Sequence, residues 1–265
     1  MNFEHLTIHK KKHVATVAFN RPDKLNALNA QLMREIITMA EAFAEDVDTR
    51  VVILSGAGSC FSAGLDLSDP EISQHFQDQS ILSQRRFLKL GPQMIKALYN
   101  MDQITIAAIN GAATGGGACI AAACDFRIGA DDCRIGYPEV GLGMNLSWVA
   151  LPMCVHLIGP SKAKQMVILA QKEPAKTLHQ WGFLDAVVPA NDLMQHAREM
   201  AEAYASKAPI AAQMVKQSVN AITSVLDQAI MHMDGDQFLL ASKTEDFMEG
   251  ISAFVEKRKP RFRGK

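Results

Sequence analysis

Apolar and small positions alternate over residues 14–19, with enough β-branched residues for a strand, which Asn20-Arg21-Pro22-Asp23 stops. Asn29 then caps a helix whose apolar positions, Leu32, Ile36, Met39, Ala40 and Phe43, recur at helical spacing. Residues 50–54 form a short continuous apolar run, the pattern of a strand buried on both faces. It ends in the turn Ser55-Gly56-Ala57-Gly58. Residues 68–85 are polar and read as an irregular surface segment or a short helix. Residues 91–100 are helical, 104–109 form another buried strand, and a glycine run opens the next helix. Short strands follow at 126–128 and 185–188, with a helix over 174–181 between them. From residue 191 the pattern is almost wholly helical. Strand and helix thus alternate up to about residue 190, which predicts an α/β core over 1–190 and a C-terminal helical subdomain over 191–265.

Length and composition narrow this only slightly. The 265 residues, 48% hydrophobic, suffice for one substantial core. A net charge of -1 provides no global field toward nucleic acid or an anionic membrane. The five cysteines, Cys60, Cys119, Cys124, Cys133 and Cys154, contain no CxxC pair and read as reduced core thiols of a cytoplasmic protein. Residues 1–13 are polar and lead into no apolar stretch of the secretory kind. The uncharged run 104–124 is long enough to span a bilayer, but Asn110-Gly111 and the glycine triplet interrupt it, so strand, turn and buried helix is the reading. No histidine pair has metal-ligand spacing, and His75, His156, His179 and His232, the last three expected in helices, read as surface or structural residues.

The glycine run, I-N-G-A-A-T-G-G-G at 109–117, is neither a P-loop, which needs Lys and Ser/Thr after its last glycine, nor a dinucleotide fingerprint. Glycines at a strand-to-helix junction leave backbone N–H groups unshielded at the positive end of a helix, which suits an oxyanion such as a thioester enolate. A second donor would come from F-S-A-G-L-D-L at 61–67, which also follows a buried strand. Tight turns alone would also account for both loops.

These two loops resemble the paired oxyanion-hole motifs of the crotonase, or enoyl-CoA hydratase/isomerase, superfamily. Similar too are N-R-P-D-K-L-N-A-L at 20–28, A-C-D-F-R-I-G-A-D-D at 123–132, P-E-V-G-L-G at 138–143 and the ending at 245–262. The resemblance implies a spiral of repeated ββα units, an acyl-CoA substrate that carries coenzyme A itself with no separate cofactor, and a homo-oligomer, either a trimer or a dimer of trimers. It places the two donors at the N–H groups of Leu65 and Gly116. Lys24, Leu25, Ala27, Ala63, Gly64 and Asp66 would lie along the CoA, and Trp148 at the acyl pocket.

Family hydratases use two glutamates. The second is present as Glu139; the position of the first is Cys119, and the glycine-rich loop that often follows is replaced by Leu146-Ser147-Trp148-Val149-Ala150. A buried thiol is a poor substitute for a carboxylate. One carboxylate suffices for a 1,3-proton shift, so the expectation is isomerisation of 3-enoyl-CoA to 2-enoyl-CoA with Glu139 as the single shuttling base. The alternatives are a 2-enoyl-CoA hydratase that holds its water differently, or a non-catalytic relative that binds acyl-CoA or RNA; the near-neutral charge argues against RNA. Asp125 is expected to fix a loop. The tail from Lys257 to Lys265 is strongly basic and reads as a solvated end or, by resemblance, as a contact to a neighbouring subunit's CoA phosphates.

Overall fold

The computed structural model describes residues 3–78 and 80–265. β1 (Leu6–Lys11) and β2 (Val14–Phe19) pair antiparallel, with Leu6 opposite Phe19. β1 lies at the sheet edge, where His9, Lys10 and Lys11 face solvent and discourage further pairing. Those charges are why this strand is not evident from the sequence. α1 (Ala30–Ala44) is capped by Asn29, whose side chain accepts the Leu32 N–H at 2.9 Å. β3 (Val51–Gly56) follows, then α2 (Pro70–Gln77), α3 (Ile81–Phe87) and α4 (Leu90–Tyr99).

The polar segment expected to be irregular or a short helix therefore holds α2 and the start of α3. Asp69 caps α2 by accepting the N–H groups of Glu71 and Ile72, Pro70 stands at its first position, and Ile72 is fully buried. With a single buried anchor, the helical period is too brief to stand out among polar residues.

β4 (Ile104–Ile109), β5 (Ala112–Thr114) and α5 (Gly116–Ala123) occupy the uncharged run that was long enough to span a bilayer. Then come β6 (Phe126–Ala130), β7 (Arg134–Gly136), α6 (Ala150–Ile168), β8 (Lys172–Pro174), α7 (Ala175–Trp181) and β9 (Ala186–Val188). α6 is broken at Gly159, which has φ +76° and precedes Pro160. The large sheet has the order β1-β2-β3-β4-β6-β9, parallel from β2 onward, and the small one has the order β5-β7-β8.

The small sheet is extended by bridges Leu28↔Leu65 and Ser62↔Ala113. Each turn of the chain thus runs from a large-sheet strand to a small-sheet segment to a helix, the ββα spiral expected. Asp125 ties two turns together: its Oδ2 accepts the Thr105 N–H at 2.7 Å and pairs with Lys216 at 2.8 Å.

All elements from Leu193 onward are helical: α8 (Leu193–Ala205), α9 (Pro209–Thr223), α10 (Gln228–Met231), α11 (Asp234–Ala241) and α12 (Glu245–Val255). α8 packs on β2, β3, β4 and β6 through Leu193, Ala197, Ala201 and Ala205, so its buried face belongs to the core. His232, expected in a helix, lies in the turn between α10 and α11. Among the described residues no helix is long and apolar enough to cross a membrane, and no cluster of His, Cys, Asp or Glu could hold a metal. All five cysteines are buried and free.

Candidate active site

Two loops at the ends of β3 and β4 meet through their glycines. In the first, the Leu28 N–H donates to the Gly64 carbonyl at 2.7 Å and the Asp66 N–H to the Leu28 carbonyl at 3.0 Å. That ladder uses the groups on either side of Leu65 and leaves the Leu65 N–H pointing away from Leu28. Gly64, at φ +91°, sits so close to the second loop that an added Cβ would be 2.6 Å from the Thr114 carbonyl oxygen and 3.4 Å from the Gly116 nitrogen. The Gly116 N–H is in the first turn of α5, where it has no partner within the helix.

The triplet is required by three different neighbours. Gly115 has φ +53° and faces the Glu139 carboxylate; a Cβ on Gly116 would meet the Trp148 indole at 2.5 Å; one on Gly117 would meet the Ser62 carbonyl oxygen at 2.5 Å. The fully buried Asn26 braces the preceding loop by donating to the carbonyls of Ala57 and Cys60 while accepting the Arg21 N–H. Arg21 donates to the Ala27 carbonyl and pairs with Asp66 at 2.9 Å. Burial alone would raise the Asp66 pKa, but hydrogen bonds from Ser68 and Arg21 outweigh it and hold the carboxyl below its usual range.

A cavity of about 460 Å³ opens over these loops, lined among others by Leu65, Gly116, Cys119, Glu139 and Trp148. Glu139 begins a short 3-10 turn after β7, and its Oε2 is fully enclosed without a hydrogen-bond partner among the described residues. Burial pushes its pKa up to about 7. Cys119 sits in α5; burial first, and the nearby Glu139 carboxyl second, hold its thiol well above the usual range, so it stays protonated. Trp148 and Val149 both have left-handed backbones, φ +58° and +65°, and the Val149 N–H donates to the buried Asp234 at 2.8 Å.

Two backbone amides without a partner among the described residues, beside an enclosed carboxyl whose pKa is near 7, can polarise a carbonyl and move a proton at the neighbouring carbon. The sequence profile of enoyl-CoA hydratase/isomerase matches residues 9–265. The chain belongs to the enoyl-CoA hydratase/isomerase family. It is 34% identical to the short-chain-enoyl-CoA hydratase of Clostridium acetobutylicum over 260 residues, covering 98% of this chain and 97% of that one. It is 33% identical to the crotonyl-CoA hydratase of Syntrophomonas wolfei over 264 residues, 99% of each. An enoyl-CoA hydratase structure from Mycobacterium avium subsp. paratuberculosis K-10 superposes with a TM-score of 0.87 at 25% identity, over 99% of this chain and all of that one.

Of the residues singled out by resemblance to this family, Leu25, Ala27, Ala63, Gly64, Leu65, Asp66, Gly116, Cys119, Glu139 and Trp148 all line the one cavity. Lys24 does not: it is exposed in the 3-10 turn Pro22–Lys24, outside the lining. The Asp66 carboxylate is occupied by Arg21 and Ser68 and acts as a loop brace. Sequence reasoning overlooked Asn145, Thr114, Lys172 and Phe238, which also line the cavity, and Asp234 behind it. Asn26, inside the 20–28 motif, was overlooked as well, although an asparagine between two apolar residues in a turn is a signal for a loop brace.

Proposed function

We propose that the cavity binds an unsaturated acyl-CoA thioester and adds water across a 2-enoyl-CoA, with Glu139 moving the protons. The sequence alone put isomerisation of 3-enoyl-CoA first; the relatives named as hydratases put hydration ahead. One observation supports the same order. Three enclosed oxygens, Glu139 Oε2, Asn145 Oδ1 and Thr114 Oγ1, lack a hydrogen-bond partner among the described residues, and all three residues line this cavity. A water donating one hydrogen to Glu139 and the other to a neutral acceptor such as Asn145 presents its lone pair to the substrate. The neutral oxygens would then do what a second carboxylate does elsewhere in the family, and what the protonated Cys119 cannot.

In this reading the thioester oxygen accepts from the Leu65 and Gly116 N–H groups. Glu139 takes a proton from water as the water oxygen bonds to Cβ, and the C=C electron pair moves into the enolate. Protonated Glu139 then returns that proton to Cα. A pKa near 7 lets one carboxyl serve in both directions. Isomerisation is the second reading, favoured by the absence of a carboxylate at Cys119: the same carboxyl would take a proton from Cα and return it at Cγ.

Mass spectrometry separates the two. With 2-enoyl-CoA and 3-enoyl-CoA of matched length, hydration adds one water to the first; isomerisation converts the second without a mass change. Glu139→Gln should slow either by roughly 10²- to 10⁴-fold, and Asn145→Ala should slow hydration alone. Failure of the wild type on both substrates would overturn both readings.

Lys172, from β8 on the cavity wall, offers a cation for the CoA phosphates. The homo-oligomer implied by resemblance is supported by exposed apolar residues on and after α9, including Ile210, Met214, Ile222, Val225 and Leu226. Light scattering on the purified chain tests it.

A further inference from the structure

The 460 Å³ cavity has a small apolar neighbour. A pocket of about 40 Å³ lies among Met33, Phe76, Phe87 and Leu90, and Leu65, Ser147, Trp148 and Phe238 line both spaces. The indole of Trp148 fills the ground between them. Glycines make room for it on two sides: a Cβ on Gly91 of α4 would stand 2.2 Å from the indole Cε2, and one on Gly116 would stand 2.5 Å from its Cζ3. Its backbone is left-handed, as is that of Val149, and the Asp234 carboxylate fixes the Val149 N–H at 2.8 Å. Two successive non-glycine residues in that conformation persist only where the surroundings over-determine them.

Gly116 also carries one of the two amides over which the thioester oxygen would sit. An acyl chain leaving that carbonyl therefore meets the indole almost at once. We infer that Trp148 is the residue that sets acyl-chain length, closing the channel so that only short-chain acyl-CoA thioesters fit. The assignment rests on the acyl-CoA reading above. Beyond the indole the walls are aromatic and aliphatic, suited to an alkyl chain, but only about 40 Å³ is open there while Trp148 fills the approach. Removing the indole would join the two spaces.

The test compares wild type, Trp148→Gly and Trp148→Phe. Glycine suits the left-handed backbone, and phenylalanine keeps an aromatic wall should the larger deletion fail to fold. Calorimetry with the unreactive butyryl-CoA and decanoyl-CoA gives affinity by chain length without requiring turnover; kcat/KM on crotonyl-CoA and trans-2-decenoyl-CoA gives the same comparison for reaction. Wild type should favour the short chain by about tenfold or more in both. Trp148→Gly should erase that preference by gaining the long chain, with Trp148→Phe between them. A wild type that binds decanoyl-CoA as tightly as butyryl-CoA, or a Trp148→Gly ratio equal to the wild-type ratio, overturns the assignment. A short-chain preference in binding without turnover of either enoyl-CoA would sink the proposed reaction while upholding the role of Trp148. Absence of binding by any acyl-CoA would sink both.

Discussion

The Glu139 carboxyl lies directly over Gly115: a Cβ built on that glycine would stand 2.9 Å from Oε1. The residue that caps α5 is thus also the floor beneath that carboxyl. Gly115→Ala should displace the carboxyl and strain a backbone at φ +53°. A fall in kcat/KM of about tenfold or more is expected while the protein stays folded, checked by steady-state kinetics beside circular dichroism.

Burial raises the Glu139 pKa from 4.5 to about 7, which fixes two signs. Proton acceptance needs the carboxylate, so kcat/KM should rise with pH through about 7 and then level off. Stability should move the other way. Between about pH 4.5 and 7 the folded chain binds more protons at this site than the unfolded one, so stability falls as pH rises, by an amount of order 3 kcal/mol once ionisation is complete. Glu139→Gln should lose roughly 10²- to 10⁴-fold in kcat and melt above wild type at pH 8 but not at pH 4. Equal melting shifts at both pH values would contradict the buried carboxyl.

Arg21 and Asp66 tie the 20–28 segment to the loop after β3 at 2.9 Å, with little of either side chain exposed. Removing one partner strands the other, so Arg21→Ala or Asp66→Ala should each cost about 3 kcal/mol, and the double substitution much less than their sum. The Asp66 pKa is depressed, so its contribution is present above the unfolded value and is lost as pH falls through the folded one. Urea denaturation of the four proteins at neutral and acid pH measures both effects.

Asp234 is buried and its pKa is raised, mainly by that burial, while the Val149 N–H works against the rise. Asp234→Asn keeps an acceptor and should be nearly neutral. Asp234→Ala should lose about 1–3 kcal/mol and loosen the turn that carries Trp148. Chemical denaturation and acyl-CoA affinity, measured together, check that the two losses coincide.

Much of this could be read in the chain because the signals are local. The apolar runs of β3 and β4, the Asn29 cap, and the glycines at 64 and 115–117 mark strand ends and turns by residue type alone. The resemblance of the motifs to the family singled out Leu65, Gly116 and Glu139, which the fold gathers at one cavity although they come from three separate turns of the spiral. β1 was hidden by its own lysines, and α2 was hidden because one buried residue is too few to show a period.

What only the tertiary structure decided is where side chains end up. Nothing in the spacing of Gly91, Gly116, Trp148 and Asp234 foretells that two glycines admit one indole and a distant aspartate fixes its backbone. Nor does the sequence tell that Asn145 and Thr114, which line the carboxyl's cavity, keep enclosed oxygens without a partner among the described residues. Periodicity and turn chemistry depend on neighbours a few residues away, so the sequence determines them. Burial, pKa and cavity volume depend on contacts between residues dozens of positions apart, and those exist only once the chain has folded.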